Sequence, residues 1–150
     1  MSLKITIDAE IKKAMLAKDA DSLRALRGIK SLILLAETDK ANPNGLTAEV
    51  EAKIIQKAVK QRKESADIFI TQNRQDLADI ELKEIAVMEK FLPAQLSESE
   101  IEAVIKTVIE STGAKSAAEM GKVMGAASKE LAGKADNKVI SEIVKRLLSN

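Results

Sequence analysis

Three observations predict an all-α fold, with an N-terminal antiparallel helical bundle over residues 1–93 and a small three-helix tail domain over residues 94–150. Apolar residues recur at three- and four-residue steps along the 150-residue chain, with no sustained period-two alternation. Pro93 divides that pattern, since it disfavours helix at Leu92 and cannot continue one itself. Beyond it lie two Ser-x-x-Glu sequences, Ser97 to Glu100 and Ser116 to Glu119, which fit the capping box that starts a helix.

Each element follows from spacing and punctuation. Leu3, Ile7, Ile11 and Met15 mark a first amphipathic helix ending near Lys18. A second begins around Asp21, carries Leu23, Leu26, Ile29, Ile33 and Leu34, and stops before the turn-forming Asn42-Pro43-Asn44-Gly45. Thr47 caps a third, long helix with Val50, Ile54, Ala58, Val59 and Phe69. Asn73 turns the chain into a fourth with Leu77, Ile80, Val87, Met88 and Phe91. Short connections between the four suggest an antiparallel bundle. After Pro93, Ile101, Val104, Ile105, Val108 and Ile109 define a helix closed by Gly113, and Met120, Val123, Met124, Ala127 and Leu131 define the next, closed by Gly133. Asp136 caps the last, with Val139, Ile140, Ile143, Val144 and Leu147.

Composition removes several function classes. With no cysteine and no histidine, the chain has no thiolate nucleophile, no Cys-ligated zinc and none of the usual neutral-pH general base. No metal or other cofactor is expected. Phe69 and Phe91 are the only aromatics, which argues against binding single strands by base stacking and leaves phosphate and shape as the available nucleic-acid contacts. The net charge of +1 carries no whole-protein basic signature. No segment approaches the roughly 20 apolar residues of a membrane span, and the start of the chain lacks a charged-then-apolar signal pattern, so a cytoplasmic location without membrane association is expected.

The strongest local anomaly is Met120-Gly121-Lys122-Val123-Met124-Gly125, followed by Lys129 and by Gly133-Lys134-Ala135-Asp136. Four of the six glycines fall between Gly113 and Gly133, although glycine inside a helix costs about 1 kcal/mol relative to alanine. On a helical wheel the Met120, Val123, Met124, Ala127 and Leu131 stripe reads as core, and Lys122 and Lys129 fall nearly opposite it. Gly121, Gly125 and Ser128 lie between, a strip of minimal side chains that would admit another backbone, with lysines suited to an anionic one. The simpler alternative is close packing against a neighbouring helix beside solvated lysines. From Ser111 onward seven basic residues face four acidic ones, enough for weak phosphate affinity. A P-loop is excluded, because Ser116 and Val123 occupy the places of its first glycine and its hydroxyl residue.

Other charged groups read first as solvated faces. They include the basic segment Lys53, Lys57, Lys60, Arg62 and Lys63, with i,i+4 pairs such as Glu49 with Lys53 and Lys63 with Asp67. Arg24, Arg27 and Lys30 read as a solvated edge of the second helix. A paired-carboxylate catalyst among Glu81, Glu84 and Glu89 is set aside, since helix faces carry such spacings routinely.

Three motifs in order, Val59-Lys60-Gln61-Arg62-Lys63-Glu64-Ser65, Phe91-Leu92-Pro93-Ala94-Gln95-Leu96-Ser97 and the glycine-lysine run, resemble the YqeY family. The C-terminal part of that family is similar to the tail domain of the B subunit of aspartyl/glutamyl-tRNA amidotransferase. The resemblance implies an all-helical protein of two parts, whose tail grips tRNA while chemistry occurs elsewhere. It carries Gly121, Lys122, Gly125, Lys129, Gly133 and Lys134 over as RNA-contacting positions and carries over no catalytic residue. Where the family-like pattern reads Met-Pro-Lys, this chain has Ala127-Ser128-Lys129. The expected function is therefore a non-catalytic tRNA-binding accessory module, with no DNA partner. The alternatives are a module docking amidotransferase or translation proteins, and a carbon–nitrogen ligase using glutamine as amido donor, against which the missing Cys and His count.

Overall fold

In the computed structural model, which describes residues 2–149, the chain is all-α, with seven α-helices and no strand among the described residues. They are α1 (Leu3–Leu16), α2 (Ala20–Glu37), α3 (Ala48–Thr71), α4 (Gln75–Glu89), α5 (Glu98–Thr112), α6 (Met120–Glu130) and α7 (Asn137–Leu148), with a 3₁₀ turn at Ala117–Glu119. The chain divides into two compact units, Met1–Leu92 and Pro93–Asn150.

In the first unit, α1 packs on α2, and α4 packs on both α2 and α3. The chain leaves α1 through Lys18, whose φ of 55° is left-handed. Asp19 then caps α2 by accepting from the Ser22 N–H at 3.0 Å and the Ser22 Oγ–H at 2.6 Å. The cap thus sits two residues ahead of the start expected at Asp21. Thr47 Oγ1 accepts from the Val50 N–H at 3.3 Å and opens α3, and Asn73, at φ 57°, turns the chain into α4. Ile7, Ile29, Ile33, Ile55 and Met88 are fully buried between these helices, each worth roughly 1.5–3 kcal/mol of transfer free energy. Three residues expected in the core are not covered: Met15 is 55% exposed, Leu34 43% and Ile80 41%. Each lies toward the edge of its apolar stripe on the helical wheel.

Two other local expectations change. Lys63 pairs with Glu89 across to α4 at 3.1 Å. Arg62 does not lie on a solvated face, and Arg24, although 46% of its side chain is exposed, also turns to a buried partner. Glu84, 7% exposed, accepts from Arg24 Nε at 2.7 Å and from Arg62 Nε at 2.8 Å, joining α2, α3 and α4 through one carboxylate. Gly28 makes room for this arrangement, because a Cβ there would stand 3.1 Å from Arg62 Nη2.

The second unit has its own core of Ile101, Ile105, Val108, Val123, Leu131, Ile140, Ile143 and Val144. Its α5 opens on the full capping box: the Ser97 N–H donates to Glu100 Oε2 at 2.8 Å and the Glu100 N–H to Ser97 Oγ at 3.3 Å. Gly113, at φ 68°, closes it. At the second box, Glu119 Oε2 accepts from the Lys115 N–H at 2.6 Å and the Ser116 N–H at 3.3 Å, which holds its carboxyl below the usual range. This box starts the 3₁₀ turn, and α6 follows at Met120. Asp136 accepts from the Lys138 N–H at 2.8 Å and opens α7.

Candidate nucleic-acid interface

The helical wheel expected for the glycine-lysine run holds in α6. Val123 and Ala127 are fully buried, as is Leu131 just beyond the helix, and Met120 and Met124 pack against the same core. Gly121, Lys122, Gly125 and Lys129 are exposed, with Ser128 half-buried beside them. At 100° per residue they share one arc of about 100°, with Lys122 and Lys129 two turns or about 10.5 Å apart along the axis.

The space around the glycines bears on the two alternatives. A Cβ built on Gly121 or Gly125 would meet nothing within 4 Å. Within the second unit, among the described residues, no neighbouring helix comes close to either glycine. Together they forgo about 2 kcal/mol of helix propensity on a surface that nothing in the described structure occupies.

Lys122, Lys129 and Lys134 are exposed and make no ion pair among the described residues. Lys129 lies in the last turn of α6, where a cation suits the helix dipole. Lys122 lies in the first turn, where the dipole opposes it; Glu119 stands nearby and feels its charge.

Gly133 differs from the other five positions. It is buried, three residues beyond the end of α6, in a left-handed turn at φ 74°. Its carbonyl accepts from Gln95 Nε2 at 2.6 Å, and the Lys134 carbonyl accepts from the Leu96 N–H at 3.0 Å. Gly133 therefore shapes the turn that presents Lys134 and offers no surface of its own. The two bonds bring the Gln95-Leu96 motif against the Gly133-Lys134 motif across a separation of 38 residues. Gln95 was not among the residues singled out as functional. Its only signal was membership of the second motif.

Elsewhere several charged groups are engaged in structure. Both oxygens of Glu84 are held by arginines. In the first unit, a cleft of about 240 Å³ at the start of α2 is lined by Asp19, Ser22, Lys13 and Glu10, which are already bonded in pairs. Among the described residues no three carboxylates lie close enough to hold a metal ion, and no helix is long and apolar enough to cross a membrane.

Residues 4–148 match the family model described as Yqey-like protein. Three curated relatives carry the name "Altered inheritance of mitochondria protein 41, mitochondrial". The one from Clavispora lusitaniae is 38% identical over 92 residues, covering 61% of this chain and 52% of the relative. That from Lachancea thermotolerans is 35% identical over 103 residues, 67% of this chain and 54% of the relative. The Pyrenophora tritici-repentis protein is 28% identical over 148 residues, 95% and 78% respectively. The chain spans about half the length of the first two. These names overturn the cytoplasmic placement, since they point to mitochondria. That placement rested on the lack of a membrane span and of a secretory signal, and neither property separates the cytoplasm from an organelle interior.

Proposed function

This chain belongs to the Yqey-like protein family, and from that premise we propose that it is a non-catalytic tRNA-binding module acting through the exposed side of α6. Lys122, Lys129 and Lys134 supply the phosphate contacts, and Gly121 and Gly125 supply the clearance that lets a sugar-phosphate backbone approach the helix. Gly133 acts from inside, by holding Lys134 in its turn.

The observation that carries this proposal is the open space over both glycines beside three exposed lysines that make no ion pair among the described residues. A helix selected for stability alone would place alanine at Gly121 and Gly125 and an acidic residue at Lys122. Phosphate contact also suits a chain with two aromatics. Relationship of the second unit to the tail domain of the amidotransferase B subunit forms part of the same proposal, as does the arrangement of a helical bundle followed by a three-helix tail.

Filter binding of purified tRNA across a salt series tests it. Binding should weaken steeply between 50 and 200 mM salt, at a slope near −0.9 per phosphate contacted on duplex regions. Lys122→Glu and Lys129→Glu should each weaken it severalfold, and unchanged affinity in both variants refutes it. The bare glycine strip also suits a partner helix. Co-purification of a protein that survives nuclease treatment and is lost on Gly125→Leu would favour that second reading.

A further inference from the structure

The hairpin of α3 and α4 ends in a tip whose charge is opposite to that of the rest of the chain. Residues 64–82 hold five acidic residues, Glu64, Asp67, Asp76, Asp79 and Glu81, and one basic one, Arg74, a net charge of −4 in a chain whose total is +1. Arg74 is itself held by Asp76, to which its Nε and Nη2 donate at 3.0 and 2.9 Å. The two edges of the hairpin differ. On one, Arg62 meets Glu84, and Arg24 of α2 reaches the same carboxylate. On the other, across the buried seam of Ala66 and Ile85, Lys63 meets Glu89 at 3.1 Å. One heptad on from Lys63 in α3 is Ile70, and one heptad back from Glu89 in α4 is Leu82. A heptad returns to the same helix face within about 20°, so Ile70 and Leu82 stand side by side on this second edge, about 10.5 Å nearer the tip. Ile70 is 47% exposed and Leu82 45%. Asp67 and Asp79, each three residues before one of them, lie about 60° further round, on the outer flank of each helix. Both aspartates are exposed and make no ion pair among the described residues; Asp79 accepts from Gln75 Nε2 at 2.7 Å.

We propose that this edge receives a cationic amphipathic helix of a partner protein, with its apolar stripe seated on Ile70 and Leu82 and a Lys or Arg on each side of that stripe, against Asp67 and Asp79. Charge selects this occupant. Both rims carry the same sign, so a helix with basic residues on both flanks gains a pair on each, and one with acidic residues there is repelled. A phosphate backbone meets net negative charge over the whole tip, which separates this surface from the lysines of α6. Two copies pairing edge to edge would set acidic rim against acidic rim, because a two-fold contact uses the same patch on both partners. The apolar pair supplies the anchor, since exposed ion pairs alone contribute little.

A display library of randomised 16-residue helical peptides panned against the full chain tests the proposal, with methyl NMR to locate the bound peptide. The selected peptides should carry Leu, Ile or Met at i, i+3 or i+4, and i+7 with Lys or Arg on both sides, and should shift the methyl signals of Ile70 and Leu82. Asp67→Lys combined with Asp79→Lys alters two exposed side chains and should leave helicity unchanged while weakening binding at least tenfold. A peptide with its flanking basic residues changed to Glu should regain affinity for that double variant. Leu82→Gln should weaken the original peptide severalfold. Failure to select any peptide overturns the proposal, as do peptides without basic flanks or binding that the aspartate reversals leave unchanged. Shifts of the Ile70 and Leu82 methyls on adding tRNA would assign the edge to nucleic acid. Sedimentation of the free chain as a dimer that Leu82→Gln dissociates would assign it to a second copy; either result overturns the proposal.

Discussion

Glu84 is the one charged residue buried among the described residues, and its removal tests how the first unit is held together. In the Glu84→Ala protein two arginines lose their shared carboxylate, at contacts of 2.7 and 2.8 Å. Breaking a fully buried ion pair costs about 3–5 kcal/mol. Here the cost is lower, because Arg24 keeps 46% of its side chain in solvent and turns to Asp21, which it already meets at 2.6 Å. Arg62 has less recourse, since its side chain is 22% exposed and its other contact is the Ala58 carbonyl at 3.4 Å. Allowing for this partial solvation, Glu84→Ala should destabilise the unit by about 2–3 kcal/mol and Glu84→Gln by about half as much. Urea unfolding followed by circular dichroism measures the loss, and hydrogen exchange at α3 and α4 amides assigns it to the first unit. Double-mutant cycles should couple Glu84 to Arg62 more strongly than to Arg24. A cost below about 0.5 kcal/mol, or the reverse order of coupling, would refute the network's structural role.

Gly28→Ala should be nearly neutral, because a helix gain of about 1 kcal/mol is offset by displacing the Arg62 guanidinium, which lies 3.1 Å from the new Cβ; in an Arg62→Ala background the same change should stabilise by that full gain, as read from urea midpoints. Gly125→Ala should stabilise by about 1 kcal/mol in its open position, whereas Gly133→Ala should cost about 1–2 kcal/mol from the left-handed backbone alone. If thermal melts show both glycines responding alike, the different roles given to them are wrong. Acid should weaken the fold. Backbone and side-chain donors hold Asp19 and Glu119 below the usual carboxylate range, and arginine or lysine partners do the same for Asp21, Asp76 and Glu102. The unfolded chain then binds more protons than the native one as pH falls through the carboxylate range, so stability present above about pH 4 is lost below it. Melting points that stay level from pH 7 to pH 3 would contradict this sign.

The glycine-lysine run was legible as an anomaly because glycine's helix cost is a property of the residue alone. Which way the glycines faced was legible too, since the 3.6-residue period sets wheel position. Whether anything in the chain lies over them was not, because that depends on where α5 and α7 run. Gly133 shows the limit from the other side. Its glycine reads as the close of the helix, yet α6 ends at Glu130 and Gly133 lies three residues on, in a turn whose carbonyl is held by Gln95 38 residues away. Met15, Leu34 and Ile80 were placed in the core for a related reason: periodicity defines how wide an apolar stripe is, while a neighbouring helix covers only part of it.

By itself the amino-acid order determined what is local: seven helices, the caps at Thr47, Ser97 and Asp136, the left-handed exits at Asn73 and Gly113, and the break at Pro93. These depend on backbone groups within about four residues, where side-chain chemistry and spacing act directly. Only the tertiary structure decided how distant residues are used. It brought Arg24 and Arg62 onto Glu84 across 60 and 22 residues, left Ile70 and Leu82 exposed on one hairpin edge, and left Gly121 and Gly125 uncovered. A charge or a glycine takes its role from the groups that packing brings against it, and those groups are fixed by the meeting of helix faces, which no single helix encodes.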